Sequence, residues 1–409
     1  MRILIAAAGS RGDIAPYTGL GAELRRAGYE VALAAADPFA PLVRAAGLEF
    51  RSLPADTKAR PGPGTGTGPD PRELMRTAAA FVTDLGRGFA DAVDGGADLL
   101  LLSATTAPLG WHLAEATGIP SLGVHLQPTA PTGDFPPTVP GVRPLGRFGN
   151  RMTGRLALRV ADRLHDPAVT QLRRRLGLPP CSPAAMRRRQ ERANRPVLYG
   201  FSTALVRRPA DWRPGLEIAG TWWPHVDADD QLPPEVEDFL RSGPPPVLVG
   251  FGSMASGEGE RLSDLAVRAL RRAGLRGILQ AGAAGLAAEG DDVLTVGDLP
   301  HALLFPRLAA VVHHAGAGTS AAALRAGVPA VTVPVTADQP FWAGRLAAIG
   351  AAADPIPFRS LTAEALAEAL RRVVHRPAYA QAAAGAAEHM TGEDGAGRVL
   401  LAVRQLTDG

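Results

Sequence analysis

The stretch Val311–Pro329, VVHHAGAGTSAAALRAGVP, decides how the chain is read, because it joins a buried strand to a helix through small residues. Leu308–Val312 is an apolar run with strand character. Ala321–Ala326 is helix-forming and stops at Gly327-Val328-Pro329. A helix start presents free backbone N–H groups and partial positive charge, so an anion settles there. Gly316 and Gly318 let such an anion reach the main chain, while His314 and Thr319 add side-chain donors. Taken alone, the pattern fits a phosphate site and an ordinary glycine-rich turn equally well.

Outward from this stretch the same alternation fills both halves. In the second half, strands are expected at Val247–Gly252, Gly277–Gln280, Val293–Val296, Ala309–Val312 and Ala330–Val335, with helices between them. In the first half, Arg2–Ala7, Glu30–Ala35, Glu49–Leu53, Asp98–Leu102, Pro120–His125 and Val197–Ser202 read as strands. Near-continuous apolar strands alternating with helices predict parallel sheets covered on both faces. The expected fold class is α/β, with two doubly wound Rossmann-like domains facing across a cleft. Residues 1–208 form the first domain, 209–225 the connection and 226–380 the second domain. Residues 381–409 form a helical tail packing back on the first domain.

Composition narrows the function. The 409-residue chain carries a formal net charge of only +3, which gives no case for nucleic-acid binding. Lys58 is the sole lysine, and Cys181 stands alone, so no internal disulfide or cysteine metal cluster is expected. No apolar run approaches the roughly 20 residues of a membrane span. Met1–Ile5 runs straight into a strand without a secretory pattern, so a cytoplasmic location is expected. Leu145–Arg192 is arginine-rich and helical. It reads either as a solvated helix face or as a contact for an anionic or membrane surface. The segment 56–71 reads as a Pro/Gly/Thr loop.

Chemistry-bearing residues gather where strands end. Gly9-Ser10-Arg11-Gly12-Asp13 follows the first strand, and Asp13 is either a carboxylate pointing into the cleft or a cap on the following helix. Gly252-Ser253-Met254 offers a second small-residue turn with a hydroxyl. Asp338-Gln339 sets a carboxylate beside an amide, a combination suited to sugar hydroxyls. The chain lacks His-Glu-x-x-His, Cys-x-x-Cys, Gly-x-Ser-x-Gly and Walker-type patterns, and the Gly9–Asp13 glycine spacing is wrong for a dinucleotide site.

Together these residues resemble the nucleotide-sugar-dependent natural-product glycosyltransferases of the GT-B fold, over essentially the whole chain. The specific part is Val311–Arg345, VVHHAGAGTSAAALRAGVPAVTVPVTADQPFWAGR. It resembles the donor-binding signature of bacterial antibiotic and sterol glycosyltransferases. The opening AGSRGDIAPY resembles the first loop of the same branch.

The resemblance implies that His314, Gly316 and Thr319 hold a donor diphosphate, with Ser253 and Ser10 approaching its phosphates. It implies that Asp338 and Gln339 bind hydroxyls of the transferred sugar. The Asp298-Leu299-Pro300 turn, through Leu299, would lie on the nucleobase and ribose. Asp13 matches the general base of an inverting transfer, and His313 matches an adjacent histidine that serves as packing support. Gln280 stands where many relatives carry a base-stacking Trp, leaving uridine and thymidine donors both open. Ser103–Thr106 lacks the aspartate that accompanies a histidine base in relatives.

Trp111, His125, Gln127 and the segment Pro128–Pro140 suggest a small lipophilic acceptor such as a polyketide, macrolide, sterol or terpenoid, although Trp111 also suits an ordinary core position. No metal ligands and no cofactor are expected, the nucleotide-sugar being a co-substrate, and no stable membrane insertion. Oligomeric state is not legible. The competing classes are a nucleotide-sugar epimerase, a dinucleotide oxidoreductase and a non-catalytic partner protein on the same scaffold.

Overall fold

The computed structural model describes residues 1–55, 71–139, 141, 143–226, 229–252 and 257–407. Seven parallel strands form the first sheet: β1 (Arg2–Ala6), β2 (Glu30–Ala36), β3 (Glu49–Leu53), β4 (Leu99–Leu102), β5 (Ser121–His125), β6 (Val197–Tyr199) and β7 (Leu216–Ile218), in the order β3-β2-β1-β4-β5-β6-β7. Five more form the second: β8 (Val247–Gly250), β9 (Gly277–Gln280), β10 (Val293–Val296), β11 (Ala310–His313) and β12 (Ala330–Thr332), in the order β10-β9-β8-β11-β12. Every pairing is parallel, so both are doubly wound α/β sheets, as the strand pattern requires.

Successive side chains of a strand face opposite sides, and here both sides are buried. Ile3 and Ile5 of β1 pack with Leu20 and Leu24 of the helix Arg11–Arg26 and with Val399 and Val403 of the last helix, Gly395–Thr407. Leu4 and Ala6 face the other way, onto Phe89, Leu113 and Val169. Each fully buried leucine or isoleucine contributes roughly 1.5–3 kcal/mol, which explains why these strands tolerate no polar alternation. In the second sheet Val247 and Val249 meet Leu262 and Leu366, while Leu248 meets Val236 and Phe305.

Three elements differ from the sequence reading. Within the expected connection 209–225, Leu216–Ile218 pairs in parallel with β6 and extends the first sheet. The arginine-rich segment divides into the helices Gly146–Arg175 and Pro183–Arg192, because Gly177 takes a left-handed φ of +67° and Pro179-Pro180 cannot continue a helix. Its arginines are also not uniformly solvated. Arg173 is buried and donates to Glu115 at 2.5 Å and to His112 Nδ1 at 2.7 Å.

A shared apolar cluster joins the domains. Phe135, Phe201 and Trp212 of the first pack with Leu324, Trp342 and Leu346 of the second. The rings of Phe135 and Phe341 lie 5.3 Å apart, and those of Phe201 and Trp342 5.6 Å. Arg345 Nε donates across the same junction to the Leu205 carbonyl at 2.8 Å.

Candidate functional site

Ligands of open α/β sheets gather where the strand order reverses, at the carboxyl ends of the strands. In the first sheet that point lies between β1 and β4, and in the second between β8 and β11. The loop Ala7–Ser10 leaves β1, and the turn His314–Gly316 leaves β11. Topology therefore brings forward the same two loops that the sequence singled out.

Asp13 lies in the first turn of the helix Arg11–Arg26, with Ser10 at the N-cap. Its Oδ2 accepts from the Ser10 backbone N–H at 2.8 Å and from the Ser10 hydroxyl at 2.9 Å. The two sequence readings of Asp13 are thus compatible. One oxygen caps the helix, and Oδ1 has no hydrogen-bond partner among the described residues. Gly9 is what leaves room for this arrangement. Its φ is +145°, and a Cβ there would fall 2.4 Å from Asp13 Oδ2. Behind the loop, Thr106 Oγ1 donates to the Ala6 carbonyl at 2.8 Å and lies 3.1 Å from the Ser103 hydroxyl. This pins the end of β1.

On the opposite side, Ala315 is forced to a φ of +62°, an uncommon conformation for alanine that costs roughly 1–2 kcal/mol. The turn delivers Gly316 as N-cap of the helix Ala317–Arg325. A glycine cap has no side chain to occupy the first-turn amides, so they stay available to an outside acceptor. The His314 ring lies over this turn, since a Cβ on Gly316 would fall 2.5 Å from its Nε2 and one on Gly252 3.1 Å from its Cε1. Burial, with His301 adding to it, lowers the His314 pKa to about 4, so the ring is a neutral donor near pH 7. Among the described residues His314 Nδ1 is buried without a partner. His313 is wholly buried and accepts from Ala315 N–H at Nδ1, 3.1 Å, which fixes the turn. Burial, then His314 and His301, lowers its pKa to about 3.

A second left-handed alanine, Ala337 at φ +56°, precedes Asp338 after β12. Asp338 Oδ2 accepts from Trp342 Nε1 at 2.7 Å, and the Gln127 side chain of the first domain comes near enough to the carboxyl to act on its pKa. Burial raises the Asp338 pKa and the Asp13 carboxylate across the cleft adds to the rise, while the Trp342 N–H and the nearby Gln127 amide oppose it. Gln339 is buried, and its Oε1 accepts from Val335 N–H at 2.8 Å and Thr336 N–H at 3.0 Å. Half of that amide therefore shapes the turn.

At the rim, Arg11 Nη1 meets Asp298 Oδ2 at 2.8 Å, joining the two domains through exposed side chains. Leu299 next to it is half-buried against the cluster of Leu232, Val236 and Phe305. Thr319 is half-buried and Gly318 exposed at the helix start.

In the first domain, His125 is buried with Nδ1 3.1 Å from the Thr129 hydroxyl, and burial lowers its pKa to about 4. Its Nε2 is buried without a partner among the described residues. Trp111 packs, half-buried, against the core of Leu102, Leu109 and Leu113, which is its ordinary-core reading. Ser253, Met254 and the 56–70 part of the expected loop lie outside the described residues. Among the described residues no group of three His, Cys, Asp or Glu side chains is placed to hold a metal ion, and no helix is long and apolar enough to cross a membrane.

The sequence reading missed Arg11, Asp298 as an ion-pair partner, and Trp342. Only Trp342 left a signal. It stands four residues after Asp338 on one helix face, within reach of the carboxylate.

Comparison with known proteins places these features in a lineage. Residues 3–132 match the model for the glycosyltransferase family 28 N-terminal domain, and residues 278–403 match that for the erythromycin biosynthesis protein CIII-like C-terminal domain. O-mycaminosyltylonolide 6-deoxyallosyltransferase of Streptomyces fradiae is 38% identical over 99% of this chain and 97% of its own length. Sterol 3-beta-glucosyltransferase UGT80A2 of Arabidopsis thaliana is 31% identical over 90% of this chain, which spans 60% of that longer protein. The crystal structure of glycosyltransferase VinC in complex with dTDP superposes with a TM-score of 0.67 over 100% of both chains, at 21% identity.

Proposed function

The chain belongs to the GT-B glycosyltransferases of the family 28 lineage, and on that premise we propose that it transfers a sugar from a thymidine or uridine diphosphate sugar to a hydroxyl of a small lipophilic natural product, with inversion at the anomeric carbon. One observation carries the reading. Asp13 and Asp338, from different domains, lie close enough across the cleft for one to perturb the other, and a helix start with an uncapped first turn follows the neighbouring strand. The S. fradiae relative is named as a 6-deoxyallosyltransferase of O-mycaminosyltylonolide, and VinC is seen in complex with dTDP; both support this reading of donor and acceptor.

In this reading the diphosphate rests on the first-turn amides of the helix Ala317–Arg325, with His314 and Thr319 donating to it. Asp338 and the free side of Gln339 hold sugar hydroxyls. Ser10 orients Asp13 by its two bonds to Oδ2, leaving Oδ1 to take the acceptor proton as that oxygen attacks the anomeric carbon. The C–O bond to the diphosphate breaks on the opposite face, and the growing negative charge falls on donors already fixed in place. Neutral His314 suits this role, because it donates without titrating near pH 7.

The test is a donor screen with a panel of lipophilic hydroxylated acceptors, read by mass spectrometry, with the anomeric configuration of the product read by NMR. A β-linked product from an α-linked donor is the expected result. Retention of configuration, or isomerisation of the donor without any acceptor, would overturn the reading.

A further inference from the structure

The long helix Gly146–Arg175 presents an apolar stripe to solvent. Leu145, Phe148, Met152, Leu156 and Val160 recur at helical spacing, with Phe148 81% exposed, Leu145 61% and Leu156 57%. Arg155, Arg159 and Arg163 rise from the same face, exposed and without an ion-pair partner among the described residues. The acids nearby do not neutralise them. Asp162 is engaged by Arg187 at 2.7 Å, and Asp166 stands only at the C-terminal end of the stripe. Arg188 and Arg192, on the helix packed alongside, are also exposed. Charge in this protein is sharply segregated. Residues 143–195 hold fourteen arginines against three acids, in a chain whose net charge is only +3, so the remainder is net acidic.

We infer that this face lies on an anionic lipid surface, with the apolar stripe in the interface and the arginines on headgroup phosphates. Arginine keeps its charge in that setting and pairs well with phosphate, and its aliphatic stem lies along apolar neighbours while the head reaches outward. Charge complementarity separates this occupant from the others. A second copy of the chain would bring Arg155, Arg159 and Arg163 against their own kind. A nucleic acid would leave Phe148, Met152 and Leu156 in water.

The position of the face adds a consequence. Its N-terminal end is fastened to the loop after β5, where Asn150 Nδ2 donates to the Gly133 carbonyl at 3.0 Å and Arg151 pairs with Asp211, which also accepts from Gly133 N–H at 2.8 Å. That loop follows His125 and Gln127, so docking brings the acceptor side of the cleft toward the membrane, where a lipophilic acceptor concentrates. The binding itself does not depend on the proposed transfer reaction.

Vesicle flotation of the full-length chain tests it without any sugar donor. The chain is expected to float with phosphatidylglycerol-rich vesicles, to stay behind with pure phosphatidylcholine vesicles, and to be released by salt. Arg155→Gln/Arg159→Gln/Arg163→Gln should weaken partitioning about a hundredfold and Phe148→Ser about tenfold or more. All four positions are exposed, so circular dichroism should show both variants folded. Failure to float with the anionic vesicles at low salt, equal flotation with both vesicle types, or unchanged flotation of both variants would overturn the inference. So would a dimer seen by light scattering that Phe148→Ser disperses, which would give the stripe to a second copy.

Discussion

Trp342 Nε1 donates to Asp338 Oδ2 at 2.7 Å, while the Trp342 ring itself is buried in the apolar cluster that joins the two domains. One side chain thus ties the domain junction to the carboxylate proposed to hold the sugar. Trp342→Phe keeps most of the apolar surface but leaves a half-buried carboxyl short of a donor, a loss of about 1–3 kcal/mol. Calorimetry should show affinity for the sugar nucleotide falling about tenfold, with that for the nucleoside diphosphate unchanged, because the proposed diphosphate contacts lie on another turn. Equal losses for both ligands would mean that Trp342 supports the domain as a whole.

Asp13 is both cap and proposed base, and two substitutions separate the roles. Asp13→Asn keeps an acceptor for the Ser10 N–H and hydroxyl, so its thermal midpoint should stay near that of the parent, while kcat falls roughly 10²-fold or more. Asp13→Ala loses the cap as well, at about 1 kcal/mol of stability. A fully active Asp13→Asn would leave the carboxylate with only its capping role.

Much of this arrangement was legible in the chain because it rests on local rules. Continuous apolar runs such as Leu99–Leu102 can only be buried on both faces, and Ala315-Gly316 between strand and helix announces a tight turn. Asp13 is ambiguous in the sequence because the first helical turn is where a carboxylate caps and also where one faces a cleft; in the fold one oxygen is spent on the cap and the other is not. The approach of Gln127 to Asp338 and the pair Arg11–Asp298 have no local signature, since each depends on how the two sheets meet. The short strand Leu216–Ile218 was hidden for a different reason. Three residues flanked by Pro214 and Gly220 carry too little periodicity to stand out from a connection.

Gly316 is fixed by the imidazole above it. In Gly316→Ala the new Cβ would meet His314 Nε2 at 2.5 Å, so the ring must swing away from the helix start. Nucleoside diphosphate affinity should fall about as far as in His314→Ala, roughly 10- to 100-fold for one hydrogen bond to a charged group. The double variant should be little worse than either single one, because both act through the same contact. Additive losses, measured by calorimetry, would show that Gly316 serves the backbone alone.

The buried histidines set an acid limit on stability. Burial lowers the pKa values of His112 and His125 to about 4 and that of His313 to about 3, from an ordinary 6.5, and all three are buried. Below about pH 6.5 the unfolded chain takes up protons at these sites that the native chain refuses, so stability is full above that value and drains away toward pH 4. Each such group contributes up to about 1.4 kcal/mol per pH unit across that window. Urea midpoints should therefore be level above about pH 7 and fall steeply by about pH 5. His112→Gln, which keeps an acceptor for Arg173 Nη1 but cannot be protonated, should flatten the slope by up to one group's share. A midpoint that stays constant through this range would show that these imidazoles reach water in the native protein.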